Sequence, residues 1–357
     1  MTDPIASGDM RTGIASAIGA AALFGASTPF AKLLLGEVSP LVLAALLYLG
    51  SGIGLAAWIA LRARLSGGEA AAPIARTDWP WIAAAVAAGG VAGPVLLMQG
   101  LAHSDAASAS LLLNLEAVLT AAIAWTVFRE NVDRRIFAGM VAIVAGAVLL
   151  SVDSVPRAGA FGGALLIAAA CLAWAIDNNL TRRVSAGDAA TLACLKGGVA
   201  GAVNLGLAVA LGATLPALTG WIGAAFLGFL GYGVSLVLFI VALRHLGTAR
   251  TGAYFSVAPF FGAALALAML GERPGTAFWL AGGLMGLGVW LHISEHHAHA
   301  HIHEEMQHAH EHAHDSHHQH IHDSPWDGHE PHVHAHRHEA LSHSHPHYPD
   351  LHHRHTH

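Results

Sequence analysis

Leu101–Glu130 reads LAHSDAASASLLLNLEAVLTAAIAWTVFRE, and Leu243–Glu272 reads LRHLGTARTGAYFSVAPFFGAALALAMLGE. The two stretches lie 142 residues apart and align without a gap, setting His103 against His245, Glu130 against Glu272 and, upstream, Trp79 against Trp221. A shift of 150 residues sets Phe24 against Trp174 and Lys32 against Arg182. The chain is an internal repeat, so each copy supplies the same series of elements.

Around both copies the chain is apolar. Of its 357 residues 54% are hydrophobic and 11% charged, where an ordinary soluble domain has about a quarter charged. This composition excludes a soluble globular enzyme and indicates a polytopic membrane protein. Segments of bilayer-spanning length fall near 13–35, 41–61, 79–101, 105–128, 135–152, 160–181, 188–212, 219–243, 248–270 and 275–293, punctuated by Pro, Gly or short charged clusters. The first is as long as a full span and is read as a retained helix rather than a signal peptide. The predicted fold is all-α, with ten transmembrane helices as two five-helix repeats over 13–152 and 160–293, followed by a disordered His-rich tail over 294–357.

Charge gives the direction. With the amino terminus inside, eleven arginines (Arg11, Arg62, Arg64, Arg76, Arg129, Arg134, Arg135, Arg182, Arg183, Arg244 and Arg250) fall in cytoplasmic loops or flanks, against Lys32, Arg157 and Arg273 outside. The positive-inside rule then places both termini in the cytoplasm. Five spans per copy is an odd number, so the second copy sits upside down in the membrane. The loops agree: the one with Arg62, Arg64 and Arg76 has a counterpart before Trp221 that lacks Lys and Arg, while the His103–Ser104–Asp105 turn matches Arg244–His245 and Arg250.

The tandem five-helix repeat, Phe24–Gly25 and Trp174–Ala175 in the first helix of each copy, the Ala-Pro-Phe-Phe run at Ala258–Phe261, and the closing Glu130 and Gly271–Glu272 resemble the EamA branch of the drug/metabolite transporter superfamily. The resemblance covers about 13–293 and rests on the order of soft motifs in both copies. It implies an inner-membrane carrier that alternates access, often as an exporter, with no ATPase of its own. One departure stands out: opposite Pro259 the first copy has Ala117 preceded by Glu116, an acid where that family usually has an apolar residue.

A charge at mid-bilayer costs about 2.5–3.5 kcal/mol on the insertion scale, which makes an intramembrane ion a candidate for function. Glu116, in the middle of the fourth span, is expected in the transport cavity, exchanging a proton or a cation. Lys196, in Cys-Leu-Lys-Gly-Gly of the seventh span, is expected to be an anion site or counter-ion. The plainer alternative is a structural Glu116–Lys196 bridge, or a lysine that snorkels to the interface. Asn114, two residues before Glu116, lies well round the helix from it. Asp177 and Asn178 are further cavity candidates, although Asp177–Asn178–Asn179 also fits a solvated helix end before Arg182. Gln99, Asn204 and Tyr254 could add hydrogen bonds. Cys171 and Cys194 read as small buried hydrophobes, Trp79, Trp81 and Trp221 as interface anchors, and Gly50–Gly54, Gly197–Gly201 and Gly282–Gly286 as packing faces.

Of the 28 histidines only His103 and His245 precede residue 292. The other 26 crowd into residues 292–357, many of them in His-x-His runs such as His299–His301–His303, His308–His310–His312–His314, His332–His334–His336–His338 and His343–His345–His347. Neutral imidazole suits divalent Ni, Zn, Co or Cu, so this tail is expected to bind such a metal, with proton sensing as the alternative. It has too few core-forming residues to order by itself. No cofactor is expected for transport and no enzymatic activity. Expected partners are the lipid bilayer, a small-molecule or metal-ion substrate and, as an option, a second copy of the chain; nothing points to nucleic acid. Three functions compete: a carrier of a small organic solute with metal acting through the tail, a transporter of Ni, Co or Zn itself, and a membrane-anchored metal buffer. Intramembrane Glu116 and Lys196 favour a carrier, since a passive anchor has no use for them.

Overall fold

The computed structural model describes residues 4–66, 77–128, 132–153, 160–184, 189–294, 298–303, 306–312, 332–338 and 341–346. Arg76, Arg129, Glu130, Arg157, His314 and His347 lie outside the described residues. The first repeat consists of α1 (Pro4–Leu34), α2 (Pro40–Ser66), a third helix in three pieces, α3 (Trp79–Ala85), π1 (Val86–Ala92) and α4 (Gly93–Ala102), a fourth in two, α5 (Ala106–Leu112) and α6 (Leu115–Phe128), and α7 (Arg134–Asp153). The second repeats the series with α8 (Ala160–Val184), α9 (Ala189–Ala210), α10 (Leu218–Gly228), π2 (Phe229–Val234), α11 (Ser235–Phe255), α12 (Ala258–Leu270) and α13 (Thr276–Ile293).

Among the described residues nine helices are long and apolar enough to cross a membrane, and the apolar Ala258–Leu270 is shorter. The turn expected between residues 243 and 248 lies within the bounds of α11, Ser235–Phe255. Yet the rings of Phe239 and Phe255 have centroids 5.0 Å apart, whereas sixteen residues of straight helix would separate them by about 24 Å. The chain therefore doubles back within α11, and its last turns continue into α12. In the first repeat α5 and α6 do the same: both are helix fragments of one span, Ala106–Val127. Pro259 in the first turn of α12 has no N–H to offer a preceding carbonyl, which suits it to a restart.

Helix packing follows the repeat. α2 packs on its equivalent α9 and α7 on α13, while α1 packs on π2, α11 and α12, and α8 on α3, π1, α4 and α6. Each repeat thus lends its first helix to the other, as a twofold relation between the copies requires. Two close approaches need glycine. A Cβ at Gly197 would lie 2.8 Å from Gly52 N, and one at Gly288 would lie 2.6 Å from Gly139 O, so side chains there would force the helices apart. Gly282–Gly286 is not such a face: a Cβ at either would meet nothing nearer than 3.5 Å. On α7, Val141, Val144, Val148 and Val152 are exposed while Met140, Ile143, Ala147 and Leu150 are buried, a helical stripe turned to lipid opposite one turned to protein.

Both third helices contain a π segment at the same place, since a shift of 142 carries Val86–Ala92 onto 228–234. In π1 the cause is chemical. Pro94 lacks the N–H that would bond the carbonyl four residues back, and that carbonyl, of Gly90, instead accepts the Asn204 amide at 3.2 Å. The neighbouring Gly89 carbonyl accepts Tyr48 Oη and Trp174 Nε1, each at 2.9 Å. The second repeat has no proline at the matching position, and Gly228, Gly231 and Gly233 carry the irregularity there.

The tail forms a separate unit, His296–His357. Where the sequence reading expects disorder without metal, four strands are described: β1 (Ala298–His303), β2 (Met306–His312), β3 (His332–His338) and β4 (Leu341–Pro346). β1 pairs antiparallel with β4, and β2 with β3. The reason lies in the same pattern that suggested metal, because a His-x-His alternation has the period of a strand. The register sets His299 opposite His345, His301 opposite His343, His308 opposite His336, His310 opposite His334 and His312 opposite His332.

Candidate functional site

The break at Leu113–Asn114 is what makes room for an acid in the fourth span. It puts Glu116 in the first turn of α6, where the helix dipole favours a carboxylate, and across the break the N–H groups of Leu113, Asn114 and Glu116 bond carbonyls three residues back. Cys171, buried on α8, fills the other side of the break, its sulfur 3.7 Å from the Leu112 carbonyl. Asn178 of α8 donates its amide to Glu116 Oε1 at 2.9 Å and reaches Thr120 Oγ1 at 3.4 Å. Asn179 turns the other way, to the carbonyls of Ala175 at 2.8 Å and Thr120 at 3.3 Å.

The Glu116–Lys196 bridge, the plainer alternative to a cavity role, is not formed. Lys196 of α9 donates instead to both oxygens of Asp177, at 2.6 and 2.7 Å, and to Thr181 Oγ1 at 3.3 Å. Thr181 in turn donates to Asp177 Oδ1 at 2.8 Å. Asp177 is buried, so the reading of a solvated helix end gives way to a closed ion pair between α8 and α9. The pair abuts π1: a Cβ on Gly89 would collide with the Asp177 carboxylate. The sequence could not choose between the two acids for Lys196, because the choice depends on how α9 is rotated against α8.

Aromatic side chains that sequence reasoning missed complete the surroundings. Tyr48 of α2 and Tyr232 of π2 lie within electrostatic reach of Glu116. Their rings are 5.5 Å apart, Tyr232 is 5.7 Å from Phe24 of α1, and Phe24 is 5.5 Å from Phe255. Glu116, Tyr48, Tyr232, Phe24 and Phe255 are all half-buried. One signal was available: the chain has four tyrosines, and Tyr48 and Tyr232 stand inside otherwise apolar spans.

The remaining candidates are elsewhere. Asn114 is buried at the helix break, donating to Leu111 O at 2.9 Å and approaching Met285 Sδ at 3.9 Å, so it faces α13 rather than Glu116. Asn204 serves π1. Gln99 and Tyr254 are half-buried. Of the metal candidates, all but His314 and His347 fall on the tail strands. Among the described residues no three His, Cys, Asp or Glu side chains come together as a metal site.

A second polar cluster fixes the turn between the third and fourth spans. Lys32, at the end of α1, donates to the carbonyls of Leu101 at 2.7 Å and Ser104 at 2.8 Å, at the carboxyl end of α4. Glu272, from the other repeat, accepts the Ala106 and Ala107 N–H groups at 2.8 and 2.9 Å, at the amino end of α5. Each charge sits at the helix end whose dipole it complements. The acid that closes the second copy thereby binds the two repeats together.

The comparisons accord with this architecture. The model of the EamA-like transporter family matches residues 11–152 and 161–294. An uncharacterized transporter of Methanothermobacter thermautotrophicus is 29% identical over 295 residues, covering 78% of this chain and 85% of that protein. A probable 4-amino-4-deoxy-L-arabinose-phosphoundecaprenol flippase subunit ArnE of Pseudomonas paraeruginosa is 43% identical over 75 residues, which span 21% of this chain and 63% of the subunit. A crystal structure with 22% identity has the same fold, with a TM-score of 0.57 over 80% of this chain and 95% of its own.

Proposed function

The chain belongs to the EamA-like transporter family and is a multi-pass membrane transporter, and from that premise we propose a secondary carrier that moves a small organic solute by alternating access. It has ten spans in two inverted repeats, lies in a bacterial-type inner membrane, keeps both termini in the cytoplasm and has no enzymatic activity. The observation that carries the reading is the Glu116–Asn178 pair, which lies beside a helix break and among rings contributed by both repeats. Broken helices at mid-membrane are where carriers bind cargo and coupling ions. A carboxylate there can take up a proton or a positive group on one side and release it on the other. Asp177–Lys196 holds α8 to α9 beside it without leaving a net charge.

The tail binds a divalent transition metal, Ni, Zn, Co or Cu, and acts on the carrier rather than supplying its cargo. The dense His-x-His runs and the opposed histidines of the strand register support this. A body without a gathered set of His, Cys, Asp or Glu among the described residues favours an organic cargo over the metal itself. The test is a growth comparison of deletion and wild type across limiting and toxic Ni, Co, Zn and Cu and across amino acids and antimetabolites, repeated with a chain ending at Ser294. The proposal expects an organic-solute phenotype that the truncated chain restores. Phenotypes confined to metals, and absent from the truncated chain, would overturn it in favour of a metal transporter or buffer.

A further inference from the structure

Resting on the carrier reading, we propose that the solute is an organic monocation, an amine or ammonium group on an apolar or aromatic body, with its charge held by Glu116 and its body among Phe24, Tyr48, Tyr232 and Phe255. Charge accounting comes first. Lys196 is spent on both oxygens of Asp177 and on Thr181, so it offers nothing to an anionic solute unless that pair is broken. Glu116 receives a neutral amide on Oε1 from Asn178 and no cation among the described residues. A solute entering this space therefore meets an unbalanced negative charge. An anion would be repelled there; a cation would supply the missing partner.

The rings point the same way. Phe24, Tyr48, Tyr232 and Phe255 form a continuous series with centroid spacings of 5.5, 5.7 and 5.5 Å, and all are half-buried. Aromatic faces attract cations, most strongly where water is excluded, and the same rings give apolar surface to the rest of the molecule. Tyr48 donates to the Gly89 carbonyl at 2.9 Å, Gly89 abuts Asp177, and the next residue on α8, Asn178, holds Glu116, so carboxylate and rings border one region and can act on one ligand.

The experiment uses the full chain, purified in detergent, and calorimetric titration with benzyltrimethylammonium, its uncharged carbon isostere neopentylbenzene, and phenylacetate. The fixed charge of the first probe separates cation binding from proton exchange. The expected result is saturable binding of benzyltrimethylammonium at least about tenfold tighter than of neopentylbenzene, and no binding of phenylacetate. Glu116→Gln should weaken the cation by about tenfold or more, and Tyr232→Leu by about fivefold, with little effect on the neutral probe. Equal affinity for the cation and its isostere in the wild type, or cation binding unchanged in Glu116→Gln, would overturn the proposal. The wild-type comparison decides even if a variant fails to fold. Cation binding can fail while growth still reveals a neutral or anionic solute, in which case this inference falls and the carrier reading stands.

Discussion

Glu116→Gln keeps the shape of the side chain and its hydrogen bond to Asn178 but removes the charge. We expect a variant as abundant and as thermally stable as wild type that has lost net transport, checked by quantitative immunoblotting and solute flux on the same membranes. Lys196 should behave in the opposite way. Lys196→Met leaves the buried Asp177 carboxylate without its cation, which costs about 3–5 kcal/mol for a buried pair broken on one side. The variant should be poorly inserted or unstable, and Asp177→Asn in the same chain should recover most of the loss; a double variant no better than the single would show that the pair is not what holds α8 to α9. From the sequence both Glu116 and Lys196 were visible, because an ion inside an apolar span stands out whatever the fold. Their partners were not. Periodicity places a residue on a helix but does not fix the rotation of one helix against another, so neither the acid that pairs with Lys196 nor the burial of Asp177 could be read from the sequence.

The π segment of the third span is the element whose chemistry can be tested most cleanly. Asn204 is buried and donates to the carbonyl that Pro94 leaves without a helical partner. Asn204→Leu should lower the unfolding temperature in detergent, the loss corresponding to about 1–3 kcal/mol for an unsatisfied buried carbonyl. In a Pro94→Ala background, where an N–H is restored at position 94, the same substitution should cost measurably less. Strictly additive losses would contradict the account of π1. Pro94 is plain in the sequence of the third span. The π turn itself was hidden, since its stabilising partners, Tyr48, Trp174 and Asn204, come from three other helices, and the matching segment in the second repeat has no proline to mark it. The reversal inside α11 was foreseen from the repeat, which places a turn between residues 243 and 248 although Leu243–Arg250 carries no proline and a single glycine to mark it.

The whole chain divides into a membrane body and a tail, and each should be separable. A chain ending at Ser294 should insert and unfold like the full protein, since Met1–Glu295 forms its own unit. The full protein should bind several Ni or Zn ions that the truncated one does not. Imidazole binds metal only when neutral, so that binding should be strong above about pH 7 and fall away as pH drops below about 6; calorimetry showing no difference between the two chains at pH 7.5 would remove the metal reading of the tail. The repeat was legible at this scale because a shift of 142 residues aligns Leu101–Glu130 with Leu243–Glu272 without a gap, and the family model matches the chain twice, over residues 11–152 and 161–294. The strands of the tail were not, because a period of two was read as ligand spacing alone. The central claim is a carrier of organic solutes centred on Glu116, and solute counterflow in proteoliposomes, read by mass spectrometry over a panel of organic amines, zwitterions and acids with Ni and Zn alongside, tests it most directly. The account predicts that at least one positively charged organic solute accumulates with wild type and not with an equal amount of reconstituted Glu116→Gln. Accumulation of metal ions alone, or equal accumulation by the two proteins, would contradict it.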